Sequence, residues 1–547
     1  MLTQAWKATS SPDDYLLCYE SENSVSDVKC YVMEDYFGLL DDGEGADLLK
    51  DKTDLGIGRF PVVAASEAKV MVDKCIRHMS RENAGAWQNI VSFLGDDGDE
   101  NDHMKYADDV ANRVQEQCPE MDIRKIMWDA YSRVSTAKNN TYPEVTALLK
   151  EQMKDGVLVV NYTGHASTYT LSHEFVLNVE DFANTKSTNL PLWMTAACDV
   201  MPFDGQSANI GETAVLNPNG GALAFFGTTR TVYANLNAIL NRYFMQYLFG
   251  QDDNGNTCRV GDAIRLTKNS LIGSSYEYSL GENKLHYALL GDPALTIAPP
   301  KQRITLDSIN GISTQQETSI PLTAGSRVTL SGHISNAQGD ALSNFQGTLT
   351  VRLYDEEKTI QCHNNAGSKN TFSFKDRTDV LYQAQDSVRG GLFTHSFTIP
   401  KDISGNGSTG RLVFYAISND KDTDANGYSE SFTLNAMSEE SVSDSIGPTI
   451  YAYLNNEEFQ DGDVVNSMPY FIAQLEDENG MNVSGNGLGH DLTLCVDGRA
   501  DYTFNLNNYY TGLFGDNTKG TVAFSIPQLE AGSHTLEFQA WDVLNNC

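Results

Sequence analysis

Two periodicities divide the chain. Up to about residue 298, short unbroken apolar runs alternate with stretches in which apolar residues recur every three or four positions. Gly156-Val157-Leu158-Val159-Val160-Asn161-Tyr162-Thr163-Gly164-His165, Leu192 to Asp199 and Gly221 to Gly227 read as buried strands. So do Ile90 to Leu94, Ile123 to Trp128 and the short Asp14 to Tyr19. Ala68, Met71, Val72, Cys75, Ile76 and Met79 instead follow i, i+3, i+4 spacing, which predicts an amphipathic helix. Tyr106 to Val114, a stretch opened by Pro143, and Leu236 to Leu248 predict three more. Strand and helix alternating in this way build a mostly parallel sheet covered on both faces.

Pro299-Pro300 ends that pattern, because neither residue can extend a helix or a ladder. Thereafter the period is two: Arg327 to Gly332, Gly347 to Tyr354, Tyr470 to Leu475 and His534 to Trp541 alternate between Gly- and Asn-rich turns. A Ser- and acid-rich linker, Ser438 to Gly447, divides this text. The expected organisation is an α/β domain over 1–298, a β-sandwich module over 301–436, and a second β module over 448–547, both modules immunoglobulin-like.

At 547 residues the chain is too long for one core. A formal net charge of −35 argues against a nucleic-acid partner, since binding phosphates needs an excess of Lys and Arg. The nine cysteines are scattered and contain no C-x-x-C, so neither a zinc site nor a disulfide framework is read from them. No run reaches the roughly 20 apolar residues of a membrane span. Residues 1–20 lack a basic and then apolar leader. The polar opening, Met1 to Asp14, and an end at Cys547 just after a strand suggest a piece truncated at both termini. Missing first strands would leave a sheet edge uncovered, and poor solubility is expected.

His165 and Cys198 both stand at carboxyl ends of predicted strands, where open parallel sheets place their sites. A thiol needs an adjacent base to act as a nucleophile near neutral pH, and imidazole supplies one. Gly164, Ala166, Ala196 and Ala197 flank the pair and leave room for a substrate backbone. A buried structural cysteine beside a loop histidine would give the same letters.

Asn161-Tyr162-Thr163-Gly164-His165-Ala166-Ser167, Thr195-Ala196-Ala197-Cys198-Asp199, Phe203-Asp204, Gly211-Glu212 and Gly220 to Gly227 together resemble the gingipain-type cysteine peptidases. Gly56 to Val62, Gly95-Asp96-Asp97-Gly98-Asp99 and Leu289 to Leu295 extend the likeness. The resemblance implies a caspase-like fold with His165 as general base and Cys198 as nucleophile. The family's Gly-His-Gly-Ser is here Gly-His-Ala-Ser, which keeps the Ala166 N–H but adds a Cβ. A family carboxylate near the histidine maps to the Gly95-Asp96-Asp97 turn, with Asp97 favoured over Asp96; Glu100 or Asp102 could reach a substrate side chain. No cofactor is required.

Structural calcium is a further possibility, at Asp97, Asp99 and Asn101 or at Asp422-x-Asp424-x-Asn426-Gly427. His103, His173 and His286 read as surface or packing residues. Within the family the likeness is greatest to the sorting peptidases of the type IX secretion system. That implies protein substrates with C-terminal sorting domains, transfer of cargo to lipopolysaccharide, an outer-membrane β-barrel partner and a place at the bacterial cell surface. A secreted endopeptidase without a sorting role, or a non-catalytic surface adhesion protein, are the alternatives.

Overall fold

The computed structural model describes residues 17–21, 29–252, 256–274, 281–297, 299–437, 442, 444–484 and 489–547. The polar opening, the start of the Asp14 to Tyr19 strand, Ala298 and part of the 438–447 linker lie outside them. Residues 1–300 together with 359–374 form one compact unit, and 301–358 with 375–547 form a second.

The first unit runs α1 (Ala65–Met79), β1 (Ile90–Gly95), α2 (Asp102–Gln117), β2 (Asp122–Met127), α3 (Pro143–Asp155) and β3 (Val159–Thr163). It continues through α4 (Val179–Asn184), β4 (Leu192–Ala196), α5 (Ile210–Leu216), β5 (Ala224–Thr228), α6 (Ala234–Leu248), α7 (Val260–Leu271) and β6 (Tyr287–Leu290). The sheet order is β6-β5-β4-β3-β1-β2. Its strands are parallel except β6, which runs antiparallel to β5. Successive side chains enter opposite faces. Trp193, Phe225, Val160, Tyr162 and Leu94 join one core, and Leu192, Met194, Phe226, Val159 and Phe93 join the other. Both faces are therefore buried, which is why these strands read as unbroken apolar runs.

The short helices α4 and α5 each start at an asparagine. Asn178 accepts from the Glu180 and Asp181 N–H groups, and Asn209 accepts from Glu212 N–H at 2.8 Å. The last turn of α5 is held from α1. Lys74 is buried, and its Nζ donates to the carbonyls of Val215 (2.7 Å), Gly220 (2.9 Å), Ala222 (3.0 Å) and Ala214 (3.3 Å). Carbonyls at a helix C-terminus have no partner within the helix, so the ammonium supplies the donors they lack. Lys74→Met is expected to strand several buried carbonyls and to cost on the order of 3 kcal/mol. Chemical denaturation of the two proteins side by side would measure this.

In the second unit β7 (Gln302–Ile309), β8 (Arg327–Ser335), β9 (Gln346–Tyr354), β10 (Val380–Arg389), β11 (Leu392–Thr398), β12 (Arg411–Ser418) and β13 (Asp424–Ser429) make one sheet in the order β7-β8-β11-β10-β9-β12-β13. β13 then pairs back onto β7, Ala425 with Gln302, so the sheet closes on itself. The two-layer sandwich expected for 301–436 is thus a ring of seven strands, flanked by a small sheet of Ile320–Thr323, Phe432–Asn435 and Asn406–Thr409. Beyond residue 448, a four-stranded and a three-stranded sheet share one core that includes Phe471, Leu475, Leu494, Val522 and Ala540. The Asp424-x-Asn426 part of the calcium-like string lies in β13, and strand alternation accounts for its spacing.

Candidate active site

Three strands set the positions of the site. Gly95 on β1 pairs with Thr163 on β3, and Thr163 pairs with Ala196 on β4. Asp97, His165 and Cys198 each lie two residues beyond this row. The predicted residues therefore leave the sheet side by side, about 5 Å apart from strand to strand.

Asp96 organises the turn. It is 1% exposed. Its Oδ2 accepts the His165 backbone N–H at 2.6 Å and lies 3.3 Å from the Tyr162 hydroxyl oxygen. Its Oδ1 accepts the Gly98 N–H at 3.1 Å and a short bond from His103 Nδ1. Burial alone would raise this carboxyl, but the His103 and His165 donors hold it below the usual carboxylate range. The Tyr162 hydroxyl donates to the His165 carbonyl at 2.6 Å, so both backbone groups of His165 are fixed. Gly164 has to be glycine, since a Cβ there would sit 2.3 Å from the Tyr162 hydroxyl oxygen.

The His165 ring stacks on His173 with centroids 4.3 Å apart and meets the edge of His103 at 4.8 Å. Its Nε2 lies 3.4 Å from Asp99 Oδ1. Asp97, the acid favoured from sequence, is turned elsewhere: its Oδ2 accepts the Tyr142 hydroxyl at 2.6 Å and lies 3.8 Å from Arg133. The carboxylates around His165 are thus Asp99, at the ring, and Asp96, at the backbone.

Asp99, Glu100 and Asn101 all have positive φ, at 50°, 56° and 69°. Left-handed backbone costs a non-glycine residue energy, so three in a row need outside support. Residues 362–370 supply it. Glu100 accepts the Lys369 N–H at 2.8 Å, and Asn101 Nδ2 donates to the Asn370 carbonyl at 2.8 Å. The same segment donates from the Asn364 and Asn365 N–H groups to both oxygens of Asp129, each at 2.7 Å. Cys362 and Phe374 pack on Met104, Ala107 and Met127. Glu100 is therefore engaged by this segment, and Asp102 pairs with Lys105 at 2.8 Å.

Cys198 is half-buried. Its Sγ donates to the Val232 carbonyl at 3.4 Å and faces the Val232 N–H at 3.5 Å. Burial pushes the thiol up, and the Val232 backbone offsets only part of that. Burial likewise pulls His165 below its ordinary value, against the opposing charge of Asp96. Both shifts favour the neutral forms, thiol and imidazole. After Cys198 the chain turns through Asp199 (φ 50°), whose carboxylate accepts the Thr231 hydroxyl at 2.9 Å. Arg230 grips Asp204 with two bonds, 3.0 and 2.6 Å, and this joins the Phe203-Asp204 motif to the segment over the thiol. Among the described residues, neither the Ala166 nor the Cys198 backbone N–H has a hydrogen-bond acceptor.

His103 and His173, read from sequence as packing residues, line the site directly. The buried His286 donates through Nδ1 to the Thr231 carbonyl at 2.9 Å, and burial pulls it down to about 4. The periodic signal of α2 marks the His103 side only as one helix face; nothing in it points to Asp96.

The molecule belongs to the class of α/β proteins that present a thiol and an imidazole on neighbouring strand ends, beside free N–H groups. Residues 7–298 match the sequence profile of peptidase family C25, and the chain belongs to this family, the gingipain family of cysteine peptidases. No curated protein matches it. Among solved structures it is similar to dimeric latent PorU from Porphyromonas gingivalis, with 26% identity and a TM-score of 0.34 over 99% of this chain. It spans 45% of that protein's length. It is also similar to the Arg-specific cysteine proteinase gingipain R, with 14% identity, a TM-score of 0.37, 74% of this chain and 79% of the other. The complex of pro- and mature domains of RgpB from Porphyromonas gingivalis gives 14%, 0.39, 74% and 81%.

Proposed function

We propose that the chain is a cysteine peptidase in which Cys198 attacks a peptide carbonyl and His165 takes the thiol proton. The observation carrying this is the shared register of the two residues, both two positions past the Thr163–Ala196 pair. Attack forms the C–S bond and a tetrahedral oxyanion, for which the Ala166 and Cys198 N–H groups are the available donors. Collapse breaks the C–N bond, and the proton held on His165 leaves with the amine. This gives a thioester, which water or a second amine then resolves.

We infer further that the acceptor is an amine and the substrates are secreted proteins with C-terminal sorting domains, at the surface of a bacterium. The family and its PorU relative support this sorting reading; lipopolysaccharide as the acceptor and an outer-membrane β-barrel as the partner belong to the same reading. Incubating a sorting-domain substrate with the full-length protein and a soluble amine tests it. Cargo joined to the amine, seen by intact mass, is the expected product. Hydrolysed cargo alone would instead make the protein an endopeptidase without a sorting role. No cleavage at all, with Cys198 reacting no faster than Cys75 or Cys118, would favour a non-catalytic adhesion protein.

The protonation states set a pH profile. His165 lies below its ordinary value, so the base stays available into mildly acidic solution and the acid limb of kcat/KM is expected below pH 6.5. Cys198 lies above its ordinary value of 9.0, so in the free enzyme its alkylation by iodoacetamide should climb only at alkaline pH. Rapid alkylation persisting to pH 5 would show a preformed thiolate–imidazolium pair and refute the neutral dyad.

A further inference from the structure

Asp96 and Asp99 place two carboxylates beside His165, and among the described residues no Lys or Arg pairs with either. Arg133 reaches Asp97 instead, and Lys105 is held by Asp102. Two imidazoles face the pair. Burial pulls His165 below its ordinary value, so it is a poor counter-charge. His103 is better placed. It stands in the first turn of α2 with its side chain 3% exposed, and its Nδ1 makes a short bond to Asp96 Oδ1. A carboxylate only accepts hydrogen bonds, so Nδ1 carries a proton. Across the ring, Nε2 lies 3.4 Å from Asp99 Oδ2. With a proton on that nitrogen as well, the ring turns an N–H toward a carboxylate on each side.

We propose that His103 is a positioning residue for the reaction: as an imidazolium it spans Asp96 and Asp99, fixes the acidic turn beside His165, and keeps His165 a free base by charge repulsion. The kinetic half rests on the function proposed above; the charge on His103 does not. A buried carboxylate without a counter-charge is costly, and the other donors to Asp96 are the neutral N–H groups of His165 and Gly98. Burial and the positive end of α2 both oppose a cation at this position. The Asp96 bond and the charges of Asp96, Asp99 and Asp102 outweigh that opposition and hold His103 above its ordinary value of 6.5. The other titrating group against the ring is His165, with centroids 4.8 Å apart and ring planes at 86°. Two cations that close repel, and the charge on His103 is among the causes that lower His165. The proposed base is thus kept available by a neighbour that never touches substrate. The bridge is at full strength below pH 6.5 and is lost as the pH rises through the raised His103 value. Nε2 then turns a lone pair toward Asp99, two acceptors face each other, and the Asp99 side chain is released.

The test uses the full chain and two measurements. The first is nuclear magnetic resonance of protein labelled with ¹⁵N in its imidazoles, where His103→Asn identifies the His103 signals by their loss. At pH 6.5 both His103 nitrogens should show imidazolium shifts and His165 a neutral ring. Asp99→Asn should move the His103 midpoint down. A neutral His103 at that pH, or a midpoint that ignores Asp99→Asn, would overturn the proposal. The second measurement is the pH profile of peptide cleavage. His103→Asn keeps an N–H near the Nδ1 position, so Asp96 stays paired and most of the melting temperature should remain. Its kcat/KM should fall about tenfold as the turn loosens. Its acid limb should move up by about 0.5 pH unit, because His165 loses the repelling charge. That displacement is the reverse of what loss of the Asp96 charge produces. Lower activity with the acid limb in place would make His103 merely structural and overturn its role. Should His103→Asn fail to fold, Asp99→Asn lies on an exposed turn and still reads the His103 midpoint. An imidazolium at His103 in a chain without peptidase activity would uphold the charged bridge and remove the function.

Discussion

Cys198→Ala is expected to lower kcat/KM by at least about 10⁴-fold, His165→Ala to do nearly the same, and the double variant to lose hardly more than either alone. Nucleophile and base act in one step, and groups that act as a unit are grossly non-additive. The resting geometry makes the dependence on His165 stricter. Burial favours the neutral thiol, and the Val232 backbone offsets only part of that, so loss of the base leaves no group to draw the proton off. Fold damage is not expected to confuse the measurement. Cys198 contributes only a partly buried sulfur beside the second core, and His165 is anchored by its backbone to Asp96 and Tyr162. Near-wild-type melting with lost turnover is the expected pair of readings. Substantial activity in Cys198→Ala would sink the thioester mechanism. Losses that multiply in the double variant would mean that the two residues work in separate steps.

His165 and Cys198, the pair proposed to react, were legible as neighbours because a parallel strand announces its own end. An apolar run stopping at Gly164-His165 and another stopping at Ala197-Cys198 fix both depth and direction, and pairing then does the rest. The helices α4 and α5 carried a readable signal too, Asn178 with Asp181 and Asn209 with Glu212 at capping-box spacing. The conformation of the acidic turn was not legible. Asp97 lies in the same register row as His165 and Cys198, and strand logic favours it. The turn after it is decided by backbone at 99–101 in a conformation that Asp, Glu and Asn only tolerate, held by residues 369 and 370. No local pattern foretells a contact some 270 positions away. In the β region the same limit shows differently. Period-two alternation is common to sandwiches and closed sheets, and only the β7–β13 pairing separates them.

Which acid supports the histidine is therefore the most informative remaining measurement. Asp96→Ala is expected to cut kcat/KM by on the order of 10²- to 10³-fold, and Asp97→Ala by less than about tenfold. Asp96 never reaches the reacting atoms. It acts by positioning: its two oxygens tie the His165 N–H, the Gly98 N–H and His103 into one turn. Removing it frees the His165 backbone and leaves buried donors unpaired, so a stability loss of about 3 kcal/mol should accompany the kinetic one. Asp96→Asn separates the two effects. It preserves shape and one accepting oxygen but cannot satisfy both histidine donors, so it should restore most of the melting temperature and little of kcat. The pH profile discriminates further. With Asp96 neutralised, His165 loses the charge that opposes its burial, and the acid limb should move to still lower pH. Asp97, by contrast, is bound to Tyr142 and Arg133, and its loss should leave that limb in place. A larger kinetic defect in Asp97→Ala than in Asp96→Ala, with the acid limb displaced, would assign the role to Asp97 and show that the turn rearranges when substrate binds.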